Sequence, residues 1–279
     1  MRKRYSFSSR RTGNIKNIRK QRKKYPDVLH EVVETSDIVL QVLDARFIEE
    51  TRNLDIEEEI KRKGKKLIYV LNKVDLVEKP KKKDRKNLIP NVLVSCTKRM
   101  GIKELRDLIK REASKLDKTL EKKYDKILVG VIGYPNTGKS SLINLLVGKS
   151  VAGTGSEAGF TKGLQKLKLT QDMHLLDSPG VIPKKEYSSA ENDALAKHTI
   201  VGGRSFSQVR HPEMVIDVIM KKFPNVLEKY YKTKSDGDAE LFLEKLGKKL
   251  NYLKKGGVVD EDKIARKILK EWQIGNIRV

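Results

Sequence analysis

The chain has 279 residues and carries 61 Lys and Arg against 37 Asp and Glu, a formal net charge of +24. Its length allows one large domain or two smaller ones, and the positive surplus favours nucleic acid or an acidic membrane as a partner. No apolar run approaches the roughly 20 residues needed to span a bilayer. The single cysteine, Cys96, excludes an intramolecular disulfide, and no Cys/His cluster suggests zinc. A reducing, cytoplasmic location is therefore expected.

Residues 1–26 form the most basic stretch of the chain. They hold 11 Lys and Arg and no acidic residue, with Tyr5 and Phe7 interleaved. This composition predicts a basic arm that orders on RNA, although a solvated, disordered arm would have the same composition.

Two apolar runs after the arm predict buried strands over residues 37–43 and 66–71. Helical periodicity precedes the first strand at residues 28–34 and separates the two at residues 54–62. The first strand leads into Asp44-Ala45-Arg46.

The second strand runs into Asn72-Lys73-Val74-Asp75, an N-K-x-D pattern. The Asp75 carboxylate can accept hydrogen bonds from guanine N1–H and its exocyclic amine, whereas adenine would leave it unpaired. The Lys73 stem can lie over the base plane, and Asn72 can brace the site against the phosphate-binding loop. Four residues at a strand end are weak evidence alone, because an Asp that starts a helix fits the same position.

A short strand over residues 92–94 is followed by Ser95-Cys96-Thr97 and a charged amphipathic helix over residues 101–122. In a GTPase, the tripeptide would present backbone N–H groups to guanine O6. An ordinary turn fits it equally well.

Residues 133–140 read G-x-x-x-x-G-K-S, the phosphate-binding P-loop pattern. An apolar strand over residues 126–132 precedes it and a helical pattern follows, which argues against an ordinary glycine turn. At such a junction, unpaired N–H groups and the helix dipole favour phosphate oxygens. Lys139 should reach the β- and γ-phosphates, and the Ser140 hydroxyl should bind Mg²⁺. The residues assigned to nucleotide binding here are Asn136, Thr137, Gly138, Lys139, Ser140 and Ser141.

A glycine-rich loop over residues 150–163 follows the P-loop helix. Its Thr161 could bind Mg²⁺ when the γ-phosphate orders the loop, unless this is an ordinary surface loop. Strands are predicted over residues 163–169 and 173–176, and the second ends in Asp177-Ser178-Pro179-Gly180, a D-x-x-G pattern. Asp177 would hold Mg²⁺ through water and the Gly180 N–H would sense the γ-phosphate, although D-x-P-G is also a common turn.

From about Ser205 the pattern is helical and basic, with amphipathic helices predicted over residues 213–223 and 238–253. Asp260 should cap a last helix through residue 271, packed down by Trp272 and Ile274. Three units are therefore expected: the arm at residues 1–26, a nucleotide-binding unit at 27–204 and a helical RNA-binding unit at 205–279.

The order of the motifs is unusual, because the base-specificity half precedes the phosphate half. The chain thus looks like a circularly permuted GTPase, and it resembles the YlqF/RbgA (MMR1/HSR1-type) family of ribosome biogenesis GTPases. Asp44-Ala45-Arg46 matches that family's D-A-R signature, and residues 246–257 resemble part of its C-terminal helical domain. The resemblance implies an α/β fold: a Ras-like P-loop NTPase with a doubly wound, mostly parallel sheet, circularly permuted and followed by a smaller all-α domain.

The resemblance also implies an activity, cofactors and partners. The protein would be a nucleotide-dependent switch that hydrolyses GTP to GDP with Mg²⁺ and acts on ribosomal RNA and large-subunit precursors. It would be a monomer, and neither a membrane nor DNA is expected as a partner. Lys139, Thr161 and Asn136 would serve catalysis, and Asn136 fits the position that binds K⁺ in related GTPases. Val181 follows Gly180, where many GTPases carry a water-orienting glutamine, and Gly13-Asn14-Ile15 lacks the histidine of bacterial members. A slow intrinsic rate is therefore expected, accelerated by ribosomal particles.

Two rival functions fit the same sequence. The missing glutamine favours an RNA-binding scaffold whose nucleotide site is occupied but not turned over. The basic charge also fits a GTPase at anionic membranes, a weaker alternative because no lipidation motif or strongly apolar amphipathic face is present.

Overall fold

The computed structural model describes residues 28–77, 85–116, 126–148, 165–178, 191–203 and 205–279. The strands are β1 (Ile38–Asp44), β2 (Lys66–Asn72), β3 (Asn91–Leu93), β4 (Ile127–Gly133), β5 (Gln165–Lys168) and β6 (Met173–Asp177). The helices are α1 (28–35), α2 (Ile48–Thr51), α3 (Leu54–Arg62), α4 (Ile102–Ser114), α5 (Lys139–Val147), α6 (Glu191–Ile200), α7 (Pro212–Lys222), α8 (Val226–Tyr231), α9 (Ala239–Lys249) and α10 (Glu261–Ile274).

The six strands form one sheet in the order β3-β2-β1-β4-β6-β5. All neighbouring pairs are parallel except β5 with β6, at one edge. The strand order reverses between β1 and β4, and in open α/β sheets ligands bind outside the carboxyl ends of the strands at such a reversal. The predicted fold class, a mostly parallel sheet with helices in permuted order, is confirmed.

Alternating strand residues build a separate apolar core on each face of the sheet. On one face, Val39 and Ile132 pack with apolar residues of α1 and α3. On the other, Leu40 and Val131 pack with the buried faces of α4 and α5. Both faces are covered, so the strands read as continuous apolar runs.

The helices after the sheet share a third apolar core. It includes Trp272 of α10, Ile216 of α7 and Phe242 of α9. Two residues of the sheet unit, Phe47 and Tyr134, are buried in the same cluster, as are Ile200 and Val201 at the end of α6. The helical unit therefore packs directly on the nucleotide-binding half, and residues before position 205 contribute to its core.

Most predicted elements are confirmed to within a few residues, and several differences have local causes. α9 ends at Lys249, not 253, because Asn251 has a left-handed backbone (φ 57°). Ile274 does not pack α10 down: it is 56% exposed, because Gly275 turns the chain at the helix end (φ 87°). The short α2 and α8 and the longer α6 were not predicted. Residues 117–122 of the helix expected over 101–122 lie outside the described residues.

Candidate functional site

The residues singled out in the sequence converge at the carboxyl edge of the sheet, beside the reversal in strand order. Register pairs Asp44 at the end of β1 with Asn72 at the end of β2, and Val42 of β1 with Gly133 at the end of β4. Asp177 ends β6 and pairs with Val131, two residues before Gly133. Parallel pairing thus brings together motifs that lie up to 133 positions apart.

Asn72 joins the base-specificity motif to the phosphate-binding loop. Its Nδ2 donates to the Thr137 main-chain oxygen (2.8 Å), and its Oδ1 accepts from the Cys96 backbone N–H (3.2 Å). Asn72 is 2% exposed. A buried amide with both ends bonded holds three loops in one arrangement.

Gly138 makes this bridge possible. Its φ of 96° lies in the left-handed region, and a Cβ there would sit 2.2 Å from Asn72 Nδ2. The left-handed backbone favours glycine, and any side chain at this position would displace the bridging amide. Gly138 is also the N-cap residue of α5, so the helix N-terminus and its N–H groups lie at the site.

A buried ion-pair cluster holds Lys73 in place. The sequence did not predict a role for this cluster. Asp44 is fully buried and accepts from Lys73 Nζ (2.8 Å) and from Arg46 Nη2 (2.9 Å). Burial alone would raise the pKa of Asp44, but the two cations outweigh it and hold that pKa below its usual value. The lysine is therefore positioned by a carboxylate of the D-A-R signature.

Asp75, Cys96 and Thr97 line one cavity of about 440 Å³, whereas Ser95, the first residue of the tripeptide after β3, is buried and is not part of the lining. Asp75 Oδ1 is buried without a hydrogen-bond partner among the described residues. Ser95 N–H donates to the Met100 oxygen and Cys96 N–H to Asn72, whereas Thr97 N–H has no described acceptor. The lining of this cavity thus offers a buried, unpaired carboxylate oxygen and a main-chain donor, the groups that the N1–H edge and O6 of guanine require.

Lys139 and Asp177 form the charged centre of the phosphate side. Lys139 Nζ donates to the main-chain oxygens of Gly133 (3.1 Å) and Tyr134 (2.9 Å). Burial lowers the pKa of Lys139 to about 8, opposed by the negative charge of Asp177. Burial raises the pKa of Asp177 to about 6, opposed by Lys139.

The donor set at this centre fits a phosphate-bound Mg²⁺. Neither carboxylate oxygen of Asp177 has a hydrogen-bond partner within the described parts of the chain. Mg²⁺ prefers such oxygens and commonly shares them with phosphates and water. Ser140 and Ser141 lie in the first turn of α5, beside Lys139.

Asn136 and Tyr134 connect the P-loop to the helical unit. Asn136, with φ 59°, donates from Nδ2 to the Gly202 main-chain oxygen (2.7 Å), just after α6. Tyr134 is 2% exposed, and its ring lies 6.1 Å from that of His198. The middle of the loop, which the motif leaves variable, is thus a contact surface for α6.

The wall of the cavity opposite the base motif was not predicted. It comes from the end of α10 and the segment after it, with Gln273, Ile274, Gly275, Asn276 and Arg278 lining the same cavity as Asp75 and Thr97. The segment lies about 200 positions from Asp75, so no local pattern could signal the contact. Two residues assigned a role, Thr161 and Gly180, lie outside the described residues, as does Val181.

The family model for "50S ribosome-binding GTPase" matches residues 128–245. The chain is 40% identical over 256 residues to the GTP-binding protein MJ1464 of Methanocaldococcus jannaschii, covering 90% of this chain and 65% of that one. It is 36% identical over 268 residues to nucleolar GTP-binding protein 2 of Saccharomyces cerevisiae, covering 92% of this chain and 53% of that one.

The fold is similar to that of solved YlqF structures. GDP-bound YlqF superposes with a TM-score of 0.60 at 24% identity, covering 90% of this chain and 96% of the other. GNP-bound YlqF from T. maritima gives 0.59 at 23% identity, covering 91% and 94%. These likenesses support the fold.

The sheet order and the joined motifs define a circularly permuted P-loop GTPase fold. With the matches above, the chain belongs to the MMR1/HSR1-type GTPase family that includes YlqF/RbgA and nucleolar GTP-binding protein 2. It spans 65% of the M. jannaschii relative and about half of the nucleolar relatives. Across the described residues, no helix is long and apolar enough to cross a membrane.

Proposed function

We propose that this protein binds GTP with Mg²⁺, hydrolyses it to GDP and phosphate, and acts as a nucleotide-dependent switch on ribosomal RNA during large-subunit assembly. The supporting observation is the single hydrogen-bonded assembly at the sheet edge. There Asn72 ties the base-recognition residues to the P-loop through the Thr137 oxygen, 2.8 Å away.

Recognition of guanine rests on the cavity beside Asp75. The Asp75 carboxylate accepts from N1–H and the exocyclic amine, and the main-chain N–H of Thr97 is the donor for O6, since that of Cys96 is already bonded to Asn72. The Lys73 stem, held by Asp44, covers one face of the base. An adenine would leave the buried carboxylate unpaired, which costs about 1–3 kcal/mol or more for a charged group.

Binding of the phosphates rests on Lys139 and the start of α5. Lys139 exchanges its two carbonyl acceptors for β- and γ-phosphate oxygens, while α5 directs N–H groups at the same anions. Ser140, and Asp177 through water, would hold Mg²⁺, with Thr161 joining them in the GTP state, and the ion would supply positive charge beside the transferring phosphate. The Gly180 N–H senses the γ-phosphate.

Hydrolysis is proposed to be slow in the isolated protein, because Val181 cannot orient water. A K⁺ ion beside Asn136 would add positive charge to the transition state, as an arginine finger does. Large ribosomal particles would accelerate turnover.

Contact with RNA rests on the charge of the chain and on the names of relatives. The helical unit carries 16 Lys and Arg against 11 Asp and Glu over residues 205–279. Four exposed lysines flank the turn between α9 and α10: Lys248, Lys249, Lys254 and Lys255. Cytoplasmic location and a monomeric state stay predictions, and the yeast relative is named a nucleolar protein.

A turnover assay with purified large ribosomal subunits tests this proposal. GTP hydrolysis should be slow alone and rise when subunits are added in K⁺ buffer, and binding to ribosomal RNA should weaken linearly with log salt, by roughly 0.7–0.9 per phosphate contact. Replacing the exposed Lys248, Lys249, Lys254 and Lys255, which lie outside the shared core, with glutamate should flatten the salt slope. Nucleotide binding without turnover under any of these conditions would instead support the scaffold alternative. Liposome binding stronger than RNA binding would favour the membrane alternative.

A further inference from the structure

We propose that the segment Gln273–Arg278, which spans the end of α10 and the residues after it, is the outer wall of the guanine pocket and raises the affinity for GTP and GDP alike. The inference rests on the proposed nucleotide site and adds to it a binding element from the helical unit. This effect differs from the γ-phosphate switch, which distinguishes the two nucleotides.

The segment is fixed in place by contacts with the base-recognition half. Val279 N–H donates to the Leu76 oxygen (3.0 Å), one residue after Asp75, and Ile277 is fully buried. Arg46 Nη1 donates to the Trp272 oxygen (3.1 Å) at the end of α10. The Arg46 guanidinium also holds Asp44, which holds Lys73. The base-covering lysine and the end of α10 therefore share one anchor.

Close packing at Gly275 brings the segment against the pocket. A Cβ at this position would lie 2.7 Å from Leu76 Cδ1, so the approach to the loop after Asp75 depends on glycine. Gly275 also has φ 87°, which turns the chain across the cavity instead of continuing the helix.

Arg278 is the charged group of this wall. Its side chain is exposed and lines the cavity, and no ion pair or hydrogen bond of its guanidinium is present among the described residues. A guanidinium can stack on an aromatic base or donate to ribose and carbonyl oxygens. These are parts that GTP and GDP share, so its contribution should be equal for both.

A physical consequence is that nucleotide binding and docking of α10 stabilise each other. Coupling between two binding events is reciprocal. A partner that draws the end of α10 away from Leu76 would thus promote release of either nucleotide.

Two matched pairs of variants test the wall by calorimetric titration with unlabelled GDP and a non-hydrolysable GTP analogue. Gly275→Val and Gly256→Val carry the same left-handed strain, but a Cβ at Gly256 meets nothing within 4 Å. Arg278→Glu and Lys270→Glu make the same charge change at exposed positions, and Lys270 does not line the cavity. Gly275→Val and Arg278→Glu should each weaken both nucleotides about tenfold, a loss comparable to one charge-assisted contact. Gly256→Val and Lys270→Glu should bind like wild type.

Hydrogen exchange gives a readout that does not depend on substitution. Amides of residues 273–279 should exchange more slowly when GDP is added. The GTP analogue should slow their exchange to the same extent. Unchanged affinity in Gly275→Val and Arg278→Glu, or unchanged exchange over 273–279, would overturn the inference while wild-type binding stands. Failure of the wild type to bind either nucleotide would instead reject the proposed function.

Discussion

Asn136 in the P-loop donates its side-chain amide N–H to the main-chain oxygen of Gly202, 2.7 Å away, immediately after α6. The residue proposed to bind K⁺ through its amide oxygen therefore uses its amide nitrogen to hold the turn after α6. Because the two roles use different atoms of the side chain, cation binding and docking are separable by substitution.

Asn136→Ala should lose both roles, and Asn136→Asp should lose one. Aspartate keeps oxygens for a cation but cannot donate to Gly202, so particle-stimulated hydrolysis should still be faster in K⁺ than in Na⁺. Alanine should give the same low rate in both salts. Both variants should lower the free energy of unfolding by about 1 kcal/mol, for one lost hydrogen bond.

Rates in K⁺ and Na⁺, with chemical denaturation as the stability measure, decide this point. Wild-type rates that are equal in the two salts would remove K⁺ from the account. Equal K⁺ stimulation in wild type and Asn136→Ala would remove Asn136 from the cation site.

Arg46→Ala should destabilise the protein strongly, because it leaves Asp44 buried with Lys73 alone. Breaking a buried ion pair by removing one partner costs about 3–5 kcal/mol, and the remaining lysine should reduce this to about 2–4 kcal/mol. Arg46→Lys should recover little of this stability. A planar guanidinium bonds Asp44 and the Trp272 oxygen at once, and a lysine ammonium cannot.

Arg106→Ala is the matched control. Arg106 also donates to main-chain oxygens at a helix end, those of Leu145 and Leu146, but it has no buried carboxylate partner among the described residues. Its loss should cost about 1 kcal/mol or less. Similar losses in the two alanine variants, measured by urea unfolding, would show that the Asp44 cluster contributes little.

The nucleotide motifs and the strands that carry them could be predicted from the sequence, because both are local. Asn72 and Gly133 each follow an apolar run, and parallel pairing of those runs brings their ends to one edge. The P-loop glycine Gly138 was predictable for the same reason: its backbone angle belongs to the motif itself.

The contacts of the helical unit with the site were not predictable. Gly202 lies 66 positions from Asn136, and Gly275 lies 199 positions from Leu76, so no periodicity links them. α6 was missed because it has few apolar residues and no broad apolar stripe. Those it has, such as Ala196 and Ile200, are buried against α7 and Trp272. The exposed Ile274 shows the same limit, since hydrophobicity alone does not give the turn at Gly275.

Asp177→Asn should stabilise the nucleotide-free protein at pH 8 and reduce the extra stability that Mg²⁺ gives to the GDP-bound protein. Burial raises the Asp177 pKa from 3.8 to about 6, which corresponds to a cost of about 3 kcal/mol at pH 8. The shift already includes the attraction to Lys139, and asparagine, like the protonated carboxyl, carries no charge, so a gain of up to about 3 kcal/mol is expected at pH 8.

The pH dependence has a definite sign. Because the folded pKa lies above the unfolded one, the contribution of Asp177 to stability is fully present below pH 3.8 and lost as pH rises through about 6. The advantage of Asp177→Asn should therefore shrink as pH falls from 8 towards 4. Thermal unfolding across this range checks it, and an advantage that grows in acid would contradict the buried, unpaired carboxylate.

The central claim is a site that reads guanine through Asp75. Asp75→Asn replaces an acceptor oxygen with a donor amide, so GTP binding should weaken by a few kcal/mol, as expected for an unpaired buried group. Xanthine nucleotide, which carries a carbonyl at C2, should bind the variant better than GTP does. Asp107→Asn makes the same change at an exposed position of α4 and serves as the control.

The most direct measurement is the affinity of wild type, Asp75→Asn and Asp107→Asn for GDP, xanthosine diphosphate and ADP. Wild type and Asp107→Asn should prefer GDP strongly over the other two, and Asp75→Asn should prefer xanthosine diphosphate. Equal GDP affinity in wild type and Asp75→Asn, or wild-type binding of ADP as tight as GDP, would contradict the account.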